Sequence, residues 1–256
     1  MKKNALLTLL FSLNGCSSFT TNFDCKDPKN IGLIGQSGEC KDKLIVDNKL
    51  LFDLVEKNKD YSHTKIYTFH VTDMSNLFQY KEVKYDITGW DVSNVTSMYS
   101  MFKNADNFNQ PLDKWNVSNV TNMSAMFLNA NYFNQPLNDW NVSNVTNMSK
   151  MFSGNGNFNQ PLDKWDVSNV TDMQEMFSTT HFFNQPLNNW NVSNVKNMSK
   201  MFLLTSNFNQ PLNQWNISNV KNMKSMFFNA HYFKQKLDLN KWIGIYDDNY
   251  WTCGTK

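Results

Sequence analysis

Hydrophobic positions in this chain recur with one fixed period. Trp90, Trp115, Trp140, Trp165, Trp190 and Trp215 are separated by 25 residues each time. The same register carries Met98 to Met223, Met101 to Met226, Phe102 to Phe227, Phe108 to Phe233 and Leu112 to Leu237, and no insertion interrupts six turns. A period of this length marks a solenoid, in which each unit buries its apolar side against its neighbours. VTDMSNLF (Val71–Phe78) matches VTSMYSMF at a spacing of 24 and predicts a degenerate first turn. At the far end Lys234 and Lys236 replace the Asn and Pro of the other turns, and Trp242 falls out of register. Atypical ends are what a stacked array needs to close its core against water.

Two elements are predicted within each turn. In TNMSAMFLNA, Met123, Met126 and Phe127 fall at i, i+3 and i+4. That spacing predicts a short helix with Thr121 or Asn122 as its cap. In FNQPL, Phe133, Gln135 and Leu137 share parity, as on a strand. Pro136 lacks an N–H, which limits the strand to a few residues. A parallel stack of such strands rises about 4.8 Å per turn.

Before the repeats, the apolar stripe Leu50, Leu51, Leu54 and Val55 predicts an amphipathic helix over about 48–57, capped by Asp47 or Asn48. Residues 17–46 lack periodicity and carry Gly32, Gly35 and Gly38, which reads as a linker or a small looped cap. The first residues, MKKNALLTLLFSLNGCSS, join Lys2 and Lys3 to an apolar run from Ala5 to Leu13. That run is too short to span a bilayer and suits a signal peptide. Leu13-Asn14-Gly15-Cys16 resembles a bacterial lipobox, in which the cysteine is lipidated and becomes the mature N-terminus; the alternative is a plain signal peptide cut nearby. The chain therefore divides into a lipoprotein signal peptide (1–15), a linker and looped segment (16–46), a helical cap (47–65), the repeat solenoid (66–242) and a C-terminal cap or tail (243–256).

Composition narrows the partners. Of 256 residues, 41% are hydrophobic and 14% aromatic, enough for a packed core. The net charge is +2, and all 24 basic residues are lysines. A nucleic-acid binder needs a basic excess and arginines for bidentate contacts, so no nucleic-acid partner is expected. Loss of Lys2 and Lys3 with the leader leaves basic residues equal to the 22 acidic ones. Membrane attachment then rests on the lipid at Cys16 rather than on a basic patch. Export permits disulfides. Cys25 and Cys40 flank a glycine-rich stretch that a disulfide would close as a loop, but connectivity, including that of Cys253, is not fixed by sequence.

The repeated phrase W-[DN]-[VI]-S-N-V-[TK]-x-M-x-x-M-F, followed by F-N-Q-P-L, resembles the BspA-like leucine-rich-repeat surface proteins. More closely, it resembles the repeat of bacterial surface lipoproteins first catalogued as a mycoplasma family of unknown function. The resemblance covers about 66–242, and KLLFDLVEKNKDYSHTKIYTFHVTDMSNLF is similar to the entry segment of such arrays. It implies an α/β, leucine-rich-repeat-like, right-handed solenoid, an envelope location, and a binding or adhesion role without catalytic residues. It carries no ligand to particular positions.

The constant columns read as scaffold. Six identical Trp, Met and Phe columns fit core packing better than six identical sites, each buried side chain contributing about 1.5–3 kcal/mol. An indole N–H needs a partner, which places the Trp rings near the core edge. The Asn94-to-Asn219 column is expected to bond the backbones of the turns, and Gln110 to Gln235 likewise. Matches to N-x-[ST], such as Asn116-Val117-Ser118, are by-products of the repeat.

The variable columns are the better candidates for a surface. One alternates Asn107, Tyr132, Asn157, Phe182, Asn207, Tyr232, and the column before it carries His181 and His231. Exposed aromatics on a ridge favour binding to a protein or a sugar; alternation that fills space between turns is the competing explanation. Catalytic patterns are lacking: there is no H-E-x-x-H, Walker loop or G-x-G-x-x-G. Asp113 and Asp163 recur in PLDKW, but Asn replaces them elsewhere, which weakens any repeated calcium site. No metal, cofactor or enzymatic activity is expected. The sequence points to a lipid-anchored, extracytoplasmic protein whose solenoid binds a host or extracellular protein, matrix component or glycan; the alternative is a spacer or coat protein without a specific ligand.

Overall fold

The computed structural model describes residues 23–238 and residue 242. The chain opens with a looped cap. Cys25 and Cys40 are joined in a disulfide, with Cα atoms 5.9 Å apart, that closes the loop between them. Gly32 N–H donates to Ile45 O at 2.8 Å, and Gly35 N–H to Lys43 O at 2.8 Å. The segment is thus bound back onto the strand that follows and is not a free linker. Strand β1 (Leu44–Asp47) pairs in parallel with β2 (Ile66–His70), Leu44 facing Ile66 and Ile45 facing Tyr67. Between them lies helix α1 (Asn48–Glu56). Asp47 is its N-cap and accepts from Leu50 N–H at 2.8 Å. Asn48 instead reaches the first repeat, where its Oδ1 accepts from Thr72 N–H at 2.8 Å. Leu51 and Val55 are buried against the core, so α1 and β1 shut one end of the repeats.

From β2 onward, units lie one upon the next in parallel. Single backbone bridges join Asp73, Ser97, Asn122, Asn147, Asp172, Asn197 and Asn222 in order. The short helix expected at Met123, Met126 and Phe127 is not formed. Every second N–H leaves the turn: Met123, Ala125, Phe127 and Asn129 donate to Asn147, Ser149, Met151 and Ser153 of the next unit at 2.8–3.0 Å. The intervening donors close tight local turns, Met126 N–H to Met123 O, Leu128 to Ala125 and Ala130 to Phe127, at 3.0–3.2 Å. Two residues take the left-handed conformation in each of these runs, here Ala125 (φ 55°) and Asn129 (φ 56°), which no α-helix accommodates. A helix would keep those N–H groups within the turn. Here they hold neighbouring turns together, and the apolar side chains still face inward.

The strand expected at Phe133–Leu137 is also not formed. That segment is joined to its neighbour by side-chain amides: Asn134 N–H and Gln135 Nε2 both donate to Asn109 Oδ1, at 3.0 and 3.1 Å. The backbone bridge sits instead at Asn122, just after the Trp-to-Val phrase.

The constant columns form the core. Met123, Met126, Phe127, Phe133 and Leu137 are fully buried, as are their equivalents in the central turns. Phe127 and Phe133 stack within one turn at 4.0 Å between centroids, and Phe127 stacks on Phe152 of the next at 5.6 Å. Trp165 lies parallel to Trp190 at 6.4 Å. At the far end Trp242, out of register in sequence, places its ring 6.5 Å from that of Trp215 and is buried. Among the described residues, no helix is long and apolar enough to cross a membrane.

Candidate recognition ridge

Polar groups that face no sheet are answered by repeated side-chain bonds. Asn119 Nδ2 donates to Ser93 O at 2.6 Å, and Asn144, Asn169, Asn194 and Asn219 repeat the bond at 2.7 Å. Each such asparagine links its turn to the one before. With the Asn109 and Trp columns, this leaves the constant positions committed to holding the stack.

The variable column lies elsewhere. Tyr132, Phe182 and Tyr232 are 61%, 56% and 59% exposed, although they are large and apolar. Each ring follows a backbone joined to the preceding turn: Tyr132 N–H donates to Asp106 O at 3.2 Å, Phe182 N–H to Gly156 O at 3.3 Å and Tyr232 N–H to Ser206 O at 3.1 Å. The intervening turns are tied by Asn157 Nδ2 to Asn131 O at 2.8 Å and by Asn207 N–H to His181 O at 3.2 Å. The row is therefore continuous, a ridge with an aromatic ring on every second turn and asparagine between. The rings do not fill space between turns.

His181 and His231 stand beside two of these rings and are exposed. His181 Nδ1 lies 3.0 Å from Leu204 O. A carbonyl oxygen only accepts, so Nδ1 carries the proton, and in the neutral ring Nε2 is left as an acceptor facing outward from that bond. Acidic and basic residues are sparse along the row: Asp106 is its one acidic residue, and it holds no lysine. The ridge offers flat apolar rings, amides and the imidazoles of His181 and His231.

Sequence reasoning missed two exposed aromatics, Tyr80 (70%) and Tyr99 (42%), at the first turns. The later equivalents of Tyr99 are polar and those of Tyr80 are mixed, Leu204 among them, so the alternation that reveals Tyr132 does not extend to their columns. Other chemistry-bearing features lie apart from the ridge. A cleft of about 340 Å³ at the cap is lined by Val55, Glu56, Asn58, Tyr61, Lys81, Glu82 and Lys84. Its charges are partly neutralised by the ion pair of Lys81 with Glu56 at 2.8 Å. His63 Nδ1 lies 3.3 Å from Asp86 Oδ2, and hydrogen bonds from Thr88 hold the Asp86 carboxyl below its usual range. Among the described residues, no three His, Cys, Asp or Glu side chains are grouped to hold a metal ion. Cys16 and Cys253 lie outside the described residues.

No curated protein and no solved structure matches the chain significantly. One family model does, twice in tandem, over residues 49–155 and 136–242. The two matches overlap and together run from α1 through the repeats to Trp242. The chain belongs to the family described as Mycoplasma protein of unknown function, DUF285.

Proposed function

We propose that this is a lipid-anchored, extracytoplasmic recognition protein, with repeats forming a right-handed, leucine-rich-repeat-like solenoid of the BspA-like kind. The observation that carries the reading is the exposed row Tyr132, Phe182 and Tyr232 on one ridge. Exposed aromatics in a continuous row lose apolar contact with water when a partner covers them, and rigid rings lose little entropy on binding. A repeat stack suits this role because each turn adds one more contact row to an extended face. The partner class is a host or extracellular protein, matrix component or glycan. Attachment through the lipid at Cys16 would set the ridge outward from the membrane, within reach of such partners.

Two variants test the parts separately. Cys16→Ser should move the protein from the membrane fraction to the soluble fraction; retention with an unchanged processing site overturns the lipid anchor. Tyr132→Ala combined with Tyr232→Ala should weaken binding to host cells or matrix while leaving the thermal melt in place. Unchanged binding by this variant favours a spacer or coat protein without a specific ligand.

A further inference from the structure

We infer that the ridge binds an uncharged, extended β-linked polysaccharide, with its sugar rings stacked on Tyr132, Phe182 and Tyr232. The inference rests on the recognition reading above and names its ligand. The first ground is spacing. Equivalent core rings repeat at 5.6 and 5.7 Å per turn. Core rings two turns apart are therefore about 11 Å apart, against about 10 Å for two strand spacings of a parallel stack. That is the length of two residues in an extended β-1,4-linked pyranose chain. In such a chain successive sugars are flipped, so every second one shows the same face. An aromatic on every second turn meets that face each time, and the polar turn between them meets the other.

The second ground is chemistry. The axial C–H face of a β-pyranose carries weakly positive hydrogens, and an aromatic ring presents a negative face to them. The equatorial hydroxyls at the sugar's edge need donors and acceptors in the ring plane. The turns between the aromatics supply amides at Asn157 and Asn207, and His181 adds an acceptor beside Phe182. The third ground is charge. A sulfated or phosphorylated polymer needs lysine or arginine at its contacts. The row from Asp106 to Tyr232 places no lysine at either of its two columns. An acidic polymer would find Asp106 there and no cation.

The test is a calorimetric titration of the full chain with cello- and chito-oligosaccharides of increasing length. Tyr132 and Tyr232 are four turns apart, about 20 Å, so three rings engage only a chain longer than four sugars. Affinity should rise roughly tenfold with each further ring engaged, from disaccharide to hexasaccharide. It should be insensitive to salt. Binding by either series supports the proposal, and the better series shows whether acetamido groups matter. Phe182→Ala should cut hexasaccharide affinity roughly tenfold. Binding by neither series, or stronger and salt-dependent binding to heparin, overturns it.

Digestion of host matrix with β-1,4-glucanase and chitinase separates this inference from the broader one, since it cleaves such chains and spares protein. Binding lost on treatment supports the glycan. Binding that survives treatment, yet is lost in the Tyr132→Ala, Tyr232→Ala variant, overturns the glycan and leaves the recognition reading standing.

Discussion

The indole N–H of Trp140 donates to the backbone oxygen of Leu112, one turn earlier, at 2.9 Å. Trp165 makes the same bond to Leu137, Trp190 to Leu162 and Trp215 to Leu187, each at 2.9 Å. This explains why a column only 3% exposed is tryptophan and not phenylalanine. The ring fills the core edge, and its one donor adds a bond between turns to a carbonyl whose other hydrogen bond, from Trp115 N–H in the case of Leu112, closes a tight turn. Trp140→Phe keeps a ring but removes this bond and leaves Leu112 O only the Trp115 N–H at 3.1 Å, so it should cost about 0.5–1.5 kcal/mol in a denaturant melt. A loss under about 0.5 kcal/mol would show that water replaces the bond.

The Cys25–Cys40 disulfide closes a loop with a sequence separation of 15. A loop of that size gives about 3 kcal/mol through the unfolded chain. The paired change Cys25→Ser, Cys40→Ser should lower stability by about that amount. Hydrogen exchange should show the loss concentrated in residues 23–46, since the repeats have their own turn-to-turn bonds. Exchange that rises equally over the whole chain would mean the cap nucleates the stack.

Thr179 sits in the left-handed conformation at φ 57°, in a column that holds Asn104, Asn129 and Asn229 in other turns. A β-branched residue is strained there by about 1–2 kcal/mol, and asparagine is far less so. Thr179→Asn should raise stability by about 1 kcal/mol, read as a higher denaturant midpoint with an unchanged slope. A fall would show that the Thr179 hydroxyl bond to Ser178 O, at 2.6 Å, outweighs the strain.

Asp166 accepts from Ser168 N–H at 3.0 Å, and hydrogen bonds from the Ser168 hydroxyl and backbone hold its carboxyl below the ordinary value of 3.8. Ser62 acts on Asp60 in the same way. A depressed carboxyl stabilises the fold above its unfolded value and stops doing so as pH falls through the folded one. Melting temperature should therefore drop on acidification below pH 3.8. In other turns asparagine does the same work: Asn141 Oδ1 accepts from Ser143 N–H at 3.1 Å. Asp166→Asn should leave the neutral-pH melt unchanged and make its acid fall shallower. An acid limb identical to that of the parent would show that Asp166 does not titrate with folding.

Much of the core was legible because side-chain columns depend only on the period. Trp115, Met123, Met126 and Phe127 face inward whatever backbone carries them, and Asn119 bonds the turn before it, as an amide in a strandless turn must. The backbone between them was not legible. The i, i+3, i+4 spacing of Met123, Met126 and Phe127 is that of a helix, yet two successive tight turns place side chains similarly. Ala125 gives no sign of its positive φ, and neighbouring turns capture the N–H groups a helix would use. The parity of Phe133, Gln135 and Leu137 misled for a related reason. Asn109 supplies by side chain the bonds that a strand would make by backbone. Trp242 was read as a break in register, but its ring lies over Trp215 and continues the column. Alternation at Asn107, Tyr132, Asn157, Phe182, Asn207 and Tyr232 marked the ridge, because only unconstrained positions are able to vary while the scaffold stays constant.

In the proposed division of labour, constant columns hold the stack and the alternating ridge does the binding. A binding titration of the full chain on immobilised host matrix tests it most directly, comparing the parent with the Tyr132→Ala, Phe182→Ala, Tyr232→Ala variant. Loss of three exposed rings should reduce affinity by at least about a hundredfold, while the melt shifts by little more than that of other surface changes. Equal affinity for parent and variant, or a variant that melts as low as Trp140→Phe, would contradict the account.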